Sequence, residues 1–142
     1  MRDGGRRSHV LLIEDDESLV AVVARHLRAH GYEATVAPSA EEAVRLLKAG
    51  CRPSVVLLDI NLPGDSGWAF LRGGHLDTVG SPPVYVGSAT AVSSARLHEF
   101  GVAGYLPKPF AMPTLMEIVS RPSRATAAAD ESAAGSGDLD DL

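Results

Sequence analysis

The most constraining feature of the sequence is a central apolar run, Val-Val-Leu-Leu at 55–58, which ends on the carboxylate of Asp59. The run is too short and too rich in β-branched residues for a buried helix. It is typical of a central strand that is covered on both faces of a parallel sheet. Pro63 and Gly64 then turn the chain. Because ligands of open α/β sheets bind beyond the carboxyl ends of the strands, Asp59 is a candidate reactive group.

Strand and helix patterns alternate five times along the chain. A second apolar run, at 9–13, also ends in acids, which are Glu14, Asp15 and Asp16. Further strands are predicted at about 33–37, 83–87 and 104–106, and helices at about 17–30, 39–50, 68–76, 92–100 and 114–119. This alternation predicts an α/β domain with a parallel sheet and helices on both faces.

Charge divides the chain into a nearly neutral body and an acidic end. The net charge is −5, and residues 123–142, with one basic and five acidic side chains, contribute −4 of it. We expect a flexible N-terminus over 1–8, one folded domain over 9–122 and a disordered acidic tail over 123–142, because the tail has few large apolar groups. A neutral body gives no indication of direct nucleic-acid binding.

Cysteine content and hydropathy bear on the location of the protein. The single cysteine, Cys51, excludes an internal disulfide and fits a reducing cytoplasm. No apolar run approaches the roughly 20 residues of a membrane span. We therefore expect a cytoplasmic protein without a membrane partner.

Reactive groups from four strand ends are predicted at one edge of the sheet. The first strand ends in acids, the third in Asp59, the fourth in Ser88 and the fifth in Lys108. Crowded carboxylates repel one another unless a cation joins them, and Mg²⁺ selects oxygen ligands. A hydroxyl, an ammonium and a metal around one carboxylate form a site for a phosphoryl group, with the carboxylate as nucleophile and an aspartyl phosphate as product.

These motifs, taken in order, resemble the receiver domain of bacterial two-component response regulators over about residues 8–119. They are Leu-Ile-Glu-Asp at 12–15, Asp59 with the turn formed by Pro63, Gly64 and Gly67, Ser-Ala at 88–89, Tyr105 and Lys-Pro at 108–109. The resemblance implies a doubly wound (βα)5 flavodoxin-like fold. Its five-stranded parallel sheet would have the strand order 2-1-3-4-5, and the receiver domain would span 9–122.

The resemblance also implies a role for each matching residue. Asp59 is the expected phosphoacceptor, assisted by Ser88 and Lys108, and Ser88 forms a switch pair with Tyr105. The expected Mg²⁺ ligands are Glu14, Asp15 as the direct ligand, Asp59 and the backbone carbonyl of Asn61. If the register is off by one residue, Asp16 replaces Asp15.

Two departures from the family pattern concern the region that changes shape in receivers. The interval from Ser88 to Lys108 is about two residues shorter than the family pattern, which predicts a trimmed fourth helix or a trimmed loop before it. Gly87 stands where an apolar strand residue is usual.

We expect a stand-alone receiver of a phosphorelay, with no output domain attached. It would accept a phosphoryl group from a sensor histidine kinase or phosphotransfer protein and signal by contact with an unidentified downstream protein. We expect no enzymatic activity beyond Mg²⁺-dependent self-phosphorylation and self-dephosphorylation. Whether phosphorylation drives homodimer formation is left open.

Three alternatives differ in class. A hydrolase of the haloacid-dehalogenase type also uses an aspartyl nucleophile and Mg²⁺, but it needs a second acid where this chain has Asn61. A nucleotide-binding domain needs glycines in the first strand–helix turn, which here carries acids instead. A receiver-like docking module that acts without phosphorylation would have lost a site residue, and none is missing; this alternative stays open.

Overall fold

The structure, a computed structural model, describes residues 8–121. The flexible N-terminus predicted over 1–8 and the acidic tail predicted over 123–142 therefore lie outside the described residues, apart from Ser8. Within 8–121, no helix has the length and apolar character needed to cross a membrane.

Five parallel strands form one sheet in the order β2-β1-β3-β4-β5, which confirms the predicted fold. The strands are β1 (His9–Ile13), β2 (Glu33–Ala37), β3 (Val55–Asp59), β4 (Val84–Ser88) and β5 (Gly104–Pro107). All five residues of β3 are buried, as expected for a central strand. In the pairing register Asp59 lies opposite Gly87, and Ser88 lies opposite Pro107. The carboxyl ends of these strands therefore meet at one edge, called the reaction edge below.

Helices follow each strand and cover both faces of the sheet. They are α1 (Glu17–Ala29), α2 (Ala40–Lys48), α3 (Gly67–Arg72), α4 (Ser94–Phe100) and α5 (Met112–Val119), with a 3-10 helix at His75–Val79. The predicted third helix thus divides into two short pieces. Gly73 caps the first piece, and Gly74 opens the second with a positive φ of 72°.

The core consists of two layers because successive residues of a strand point to opposite faces. On one face Leu11, Val56, Leu58 and their neighbours pack against α2 and α3. On the other face Val10, Leu12, Leu57 and their neighbours pack against α1 and α5. Because helices cover both faces of the sheet, its residues can contact other molecules only at the edges.

Side-chain caps set the beginnings of several helices. Asp16 Oδ1 accepts hydrogen bonds from the backbone N–H groups of Ser18 and Leu19 at 3.0 and 3.2 Å. Ser39 Oγ accepts from Glu42 N at 3.1 Å, which is the first half of a capping box. The second half is not formed, because the Glu42 carboxylate pairs with Arg45 at 2.8 Å.

Helix α4 differs from the others because none of its residues is buried. It begins at Ser94 and not at the predicted residue 92, since Ser93 caps it by accepting a hydrogen bond from Arg96 N at 3.1 Å. Its contact with α3 is aromatic: the ring centroids of Trp68 and Phe100 are 4.9 Å apart. The guanidinium of Arg96 lies 5.3 Å from the Trp68 centroid, within the range of a cation–π interaction.

Gly67 is required where α3 begins beside β3. A Cβ added there would lie 2.7 Å from the Asp59 carbonyl oxygen and 2.9 Å from Ile60 Cα, and both atoms belong to the backbone. Gly67→Ala should therefore destabilise the domain by about 1–3 kcal/mol, because the backbone atoms of β3 cannot move aside as a flexible side chain can. The free energy of unfolding in urea measures this change.

Gly87→Ala is the matched control, since a Cβ at Gly87 would meet its nearest atoms at 3.6 and 3.8 Å, which is ordinary contact. It should change stability by less than about 1 kcal/mol. Equal losses in the two variants would contradict the role of close backbone approach.

Candidate phosphoacceptor site

Three carboxylates converge at the reaction edge. One oxygen each of Glu14, Asp15 and Asp59 lies within 4.8 Å of the others. Glu14 and Asp59 are only 4% and 6% exposed, whereas Asp15 is exposed. The strand order causes this convergence, because β1 and β3 are neighbours and both end in acids. The structure thus brings together the three acids that the sequence predicts as metal-binding.

Lys108 reaches this cluster from the end of β5. Its Nζ donates to Glu14 Oε1 at 2.7 Å and lies 3.4 Å from Asp59 Oδ1. The Lys108 backbone N–H donates to the Ser88 carbonyl at 2.9 Å, which fixes the start of the side chain against β4. The lysine predicted from the sequence is therefore in direct contact with the predicted phosphoacceptor.

Burial and charge shift the pKa values of two of these groups. Burial raises the pKa of Glu14 above its usual range; the hydrogen bond from Lys108 opposes this rise, and the charge of Asp59 adds to it. Burial by itself would lower the pKa of Lys108, but its contacts with Glu14 and Asp59 outweigh burial and raise the pKa. Lys108 therefore stays charged, and Glu14 takes up a proton more readily than a solvated glutamate.

The backbone on either side of the cluster donates to the acids. The Asn61 N–H donates to Asp59 Oδ1 at 3.1 Å, and the Asp16 N–H donates to Glu14 Oε2 at 3.2 Å. The side chain of Asp16 caps α1 and is not part of the carboxylate cluster. The structure therefore favours Asp15 over Asp16 as the exposed metal-side acid. The role of the Asn61 carbonyl stays a prediction.

Ser88 and Tyr105 are linked through Thr90, a residue that the sequence analysis did not identify. Ser88 Oγ, 1% exposed, accepts from the Thr90 N–H at 3.0 Å and shares a second hydrogen bond of 3.0 Å with Thr90 Oγ1. The half-buried Tyr105 donates its hydroxyl to the Thr90 carbonyl at 2.9 Å. A serine hydroxyl often accepts from the backbone N–H two residues further on, so Ser88 after a predicted strand is the signal that points to residue 90.

The donor set of the cluster suits a hard divalent cation. Glu14, Asp15 and Asp59 offer carboxylate oxygens only, which is the ligand type that Mg²⁺ prefers. With Lys108 the four groups carry a formal charge of −3 + 1 = −2 when all are ionised, so a divalent cation would neutralise them.

The site therefore consists of a carboxylate at the end of the central strand, a lysine that follows the last strand and an acid pair that follows the first strand. The chain belongs to the response regulator receiver domain family, whose model matches residues 10–120. The family inferred from the sequence motifs is thereby confirmed.

Relatives and solved structures agree with this assignment. The chain is 36% identical over 126 residues to the transcriptional regulatory protein PrrA of Mycobacterium tuberculosis, covering 85% of this chain and 51% of PrrA. A response regulator receiver protein from Pseudomonas putida has a TM-score of 0.74 at 26% identity, covering 82% of this chain and 98% of that one. The receiver domain of the sensor histidine kinase PA1611 from Pseudomonas aeruginosa, with magnesium coordinated in its active-site cleft, has a TM-score of 0.69 at 27% identity and coverages of 82% and 97%.

The chain spans about half the length of the first curated relatives that it matches. The shared part is the receiver domain.

Removing one exposed acid from the cluster should stabilise the metal-free domain. Asp15→Asn relieves repulsion with Glu14 and Asp59, so the free energy of unfolding without divalent metal should rise by up to about 1 kcal/mol, and less at high salt. Asp65→Asn, an exposed acid outside the cluster, is the control and should change little. A loss of stability in Asp15→Asn alone would show that this carboxylate makes a favourable contact in the metal-free fold.

Proposed function

We propose that the protein accepts a phosphoryl group on Asp59 and passes a signal by contact with another protein. The supporting observation is the position of Asp59: a buried carboxylate at the end of the central strand, 3.4 Å from the Lys108 ammonium and beside two further acids. Such a carboxylate has a nucleophilic oxygen beside a fixed cation, and Asn61 occupies the position where a dehalogenase-type hydrolase needs its second acid.

The proposed transfer begins from a phosphohistidine of a partner kinase or phosphotransfer protein. An Asp59 oxygen attacks the phosphorus, a P–O bond forms and the P–N bond breaks. The imidazole leaves with the electron pair of that bond and takes up a proton from solvent. Lys108 neutralises charge on the transferring oxygens, because its ammonium already lies between Asp59 and Glu14.

We propose Mg²⁺ as the cofactor, held by Glu14, Asp15, Asp59 and the Asn61 carbonyl. When bound, the ion supplies positive charge that offsets repulsion between the acids and the incoming phosphoryl group. The acidic cluster of this chain and the magnesium in the PA1611 receiver support this assignment.

The partner class is also a proposal. PA1611 is a sensor histidine kinase, and PrrA is a transcriptional regulatory protein of which the match covers 51%. These relatives support a histidine kinase or phosphotransfer protein as the donor. We propose no enzymatic turnover beyond Mg²⁺-dependent self-phosphorylation and self-dephosphorylation. The stand-alone organisation, the cytoplasmic location and the downstream partner expected from the sequence stay predictions.

Phosphorylation should depend on Asp59 and on divalent metal. After incubation with a small phosphodonor and Mg²⁺, the intact mass of the protein should increase by one phosphoryl group, and Asp59→Asn should abolish the increase. Asp16→Asn is the matched control at the same edge, because asparagine caps helices as well as aspartate. Equal labelling of Asp59→Asn would refute the assignment, and lost labelling in Asp16→Asn would move the metal-side role to Asp16.

We further propose that Thr90 couples Ser88 to Tyr105. Among residues 8–121 the Ser88 hydroxyl is bonded to Thr90 and not to Asp59. A phosphoryl group on Asp59 adds about two negative charges and three acceptor oxygens, so it competes for this hydroxyl. When Ser88 turns to the phosphoryl group, it releases Thr90, whose carbonyl holds the Tyr105 hydroxyl. The shift in population is limited by the difference in contact energy between the two states.

Ser88→Ala tests the coupling. The variant should still accept phosphate, because Asp59 and Lys108 are unchanged, but NMR signals of the Tyr105 ring should no longer shift when a phosphate mimic binds. Ser120→Ala is the control, since its hydroxyl bonds the Glu117 carbonyl at the end of α5. If the wild-type Tyr105 ring does not shift although Asp59 is fully modified, the signal leaves by another face.

A further inference from the structure

A pair of histidines lies at the end of α1 away from the reaction edge. His26 is in the last two turns of the helix, and His30 is its C-cap residue. Residues four apart lie on the same face of a helix, with Cβ atoms about 5–6 Å apart. His26 is half-buried and His30 is exposed, so solvent reaches both rings. The helix has 13 residues and is therefore about 20 Å long, which separates this pair from the acid cluster.

Hydrogen bonds fix which ring nitrogen of each histidine is free. His26 Nδ1 lies 3.2 Å from the Val22 carbonyl oxygen, and His30 Nδ1 lies 2.8 Å from the His26 carbonyl oxygen. A carbonyl oxygen cannot donate, so each Nδ1 carries the proton and donates it. In the neutral imidazoles each Nε2 therefore holds the lone pair, and this tautomer is the one that metal-binding histidines adopt when a carbonyl orients them.

We propose that His26 and His30 bind a divalent transition cation through their Nε2 atoms. Imidazole suits Ni²⁺, Cu²⁺ and Zn²⁺, whereas Mg²⁺ prefers oxygen, so this site would take a different class of metal from the acid cluster. The negative end of the helix dipole at the C-terminus of α1 also favours a cation. The nearby guanidinium of Arg28 is held away, since its Nη2 donates to the Ala34 carbonyl at 2.8 Å. Water completes the coordination shell.

Metal bound to both histidines should also stabilise α1. The two rings are held one turn apart only in the folded helix, so the metal binds the folded state more tightly than the unfolded chain. The expected consequence is a higher melting temperature and stronger hydrogen-exchange protection in the last turn of α1. This inference does not depend on phosphorylation of Asp59.

The test is a titration of the full chain with NiCl₂ in the presence of excess Mg²⁺, which keeps the acid cluster occupied. Binding is followed by calorimetry, by the melting temperature and by paramagnetic broadening of the histidine ring signals. We expect broadening confined to the end of α1, a melting temperature several degrees higher, and an affinity at least about tenfold weaker in His26→Asn and in His30→Asn, because either change leaves one ligand.

His98→Asn is the matched control, an exposed helical histidine with no histidine one turn away, and it should bind Ni²⁺ as the wild type does. Cys51→Ser tests whether Ni²⁺ binds elsewhere, at Cys51 Sγ and His9 Nε2, because these two atoms lie 4.0 Å apart. Unchanged affinity in both α1 variants, or loss of binding in Cys51→Ser, would overturn the proposal.

Discussion

Repulsion among carboxylates at the reaction edge is the constraint on which the rest of the site depends. Glu14, Asp15 and Asp59 are gathered from two strands, and the Lys108 ammonium is the cation that the described chain itself supplies to them. Lys108 is 94 residues from Glu14 in sequence, so their hydrogen bond also joins the end of the last strand to the end of the first. One interaction thus reduces the electrostatic cost of the site and ties β5 to the centre of the sheet. The pKa shifts of Glu14 and Lys108 show that burial and pairing oppose each other there.

Most of the fold was predictable because its signals are local. The apolar run of β3 with its terminal acid identifies a central strand, and Gly31 ends α1 with a φ of 89°, as its sequence position indicates. Alternation of strands and helices predicts a parallel sheet, but the order of the strands came from the family resemblance. Helix boundaries were less accurate where capping decides them. Ser93 delays α4 to Ser94, and Pro113, which suits the first turn of a helix, lets α5 begin at Met112.

The site was predictable as a set of residues but not as a set of contacts. The acids, Ser88 and Lys108 each follow a predicted strand, so topology alone places them together. The direction in which a side chain points depends on its neighbours. The hydroxyl of Ser88 turns to Thr90, and Tyr105 is half-buried with its hydroxyl on the Thr90 carbonyl, and the sequence analysis identified neither contact. The roles assigned to these residues stay predictions.

Helix α4 contributes no buried side chain, and this has an optical consequence. Its attachment to α3 runs through Phe100 and Arg96, both in contact with the ring of Trp68, which is the one tryptophan in the sequence. A displacement of α4 moves the half-buried Leu97 off the core, and it also removes an aromatic face and a positive charge from an indole. The emission spectrum of the unmodified protein therefore reports on the position of α4, and no label is needed to follow that helix in solution.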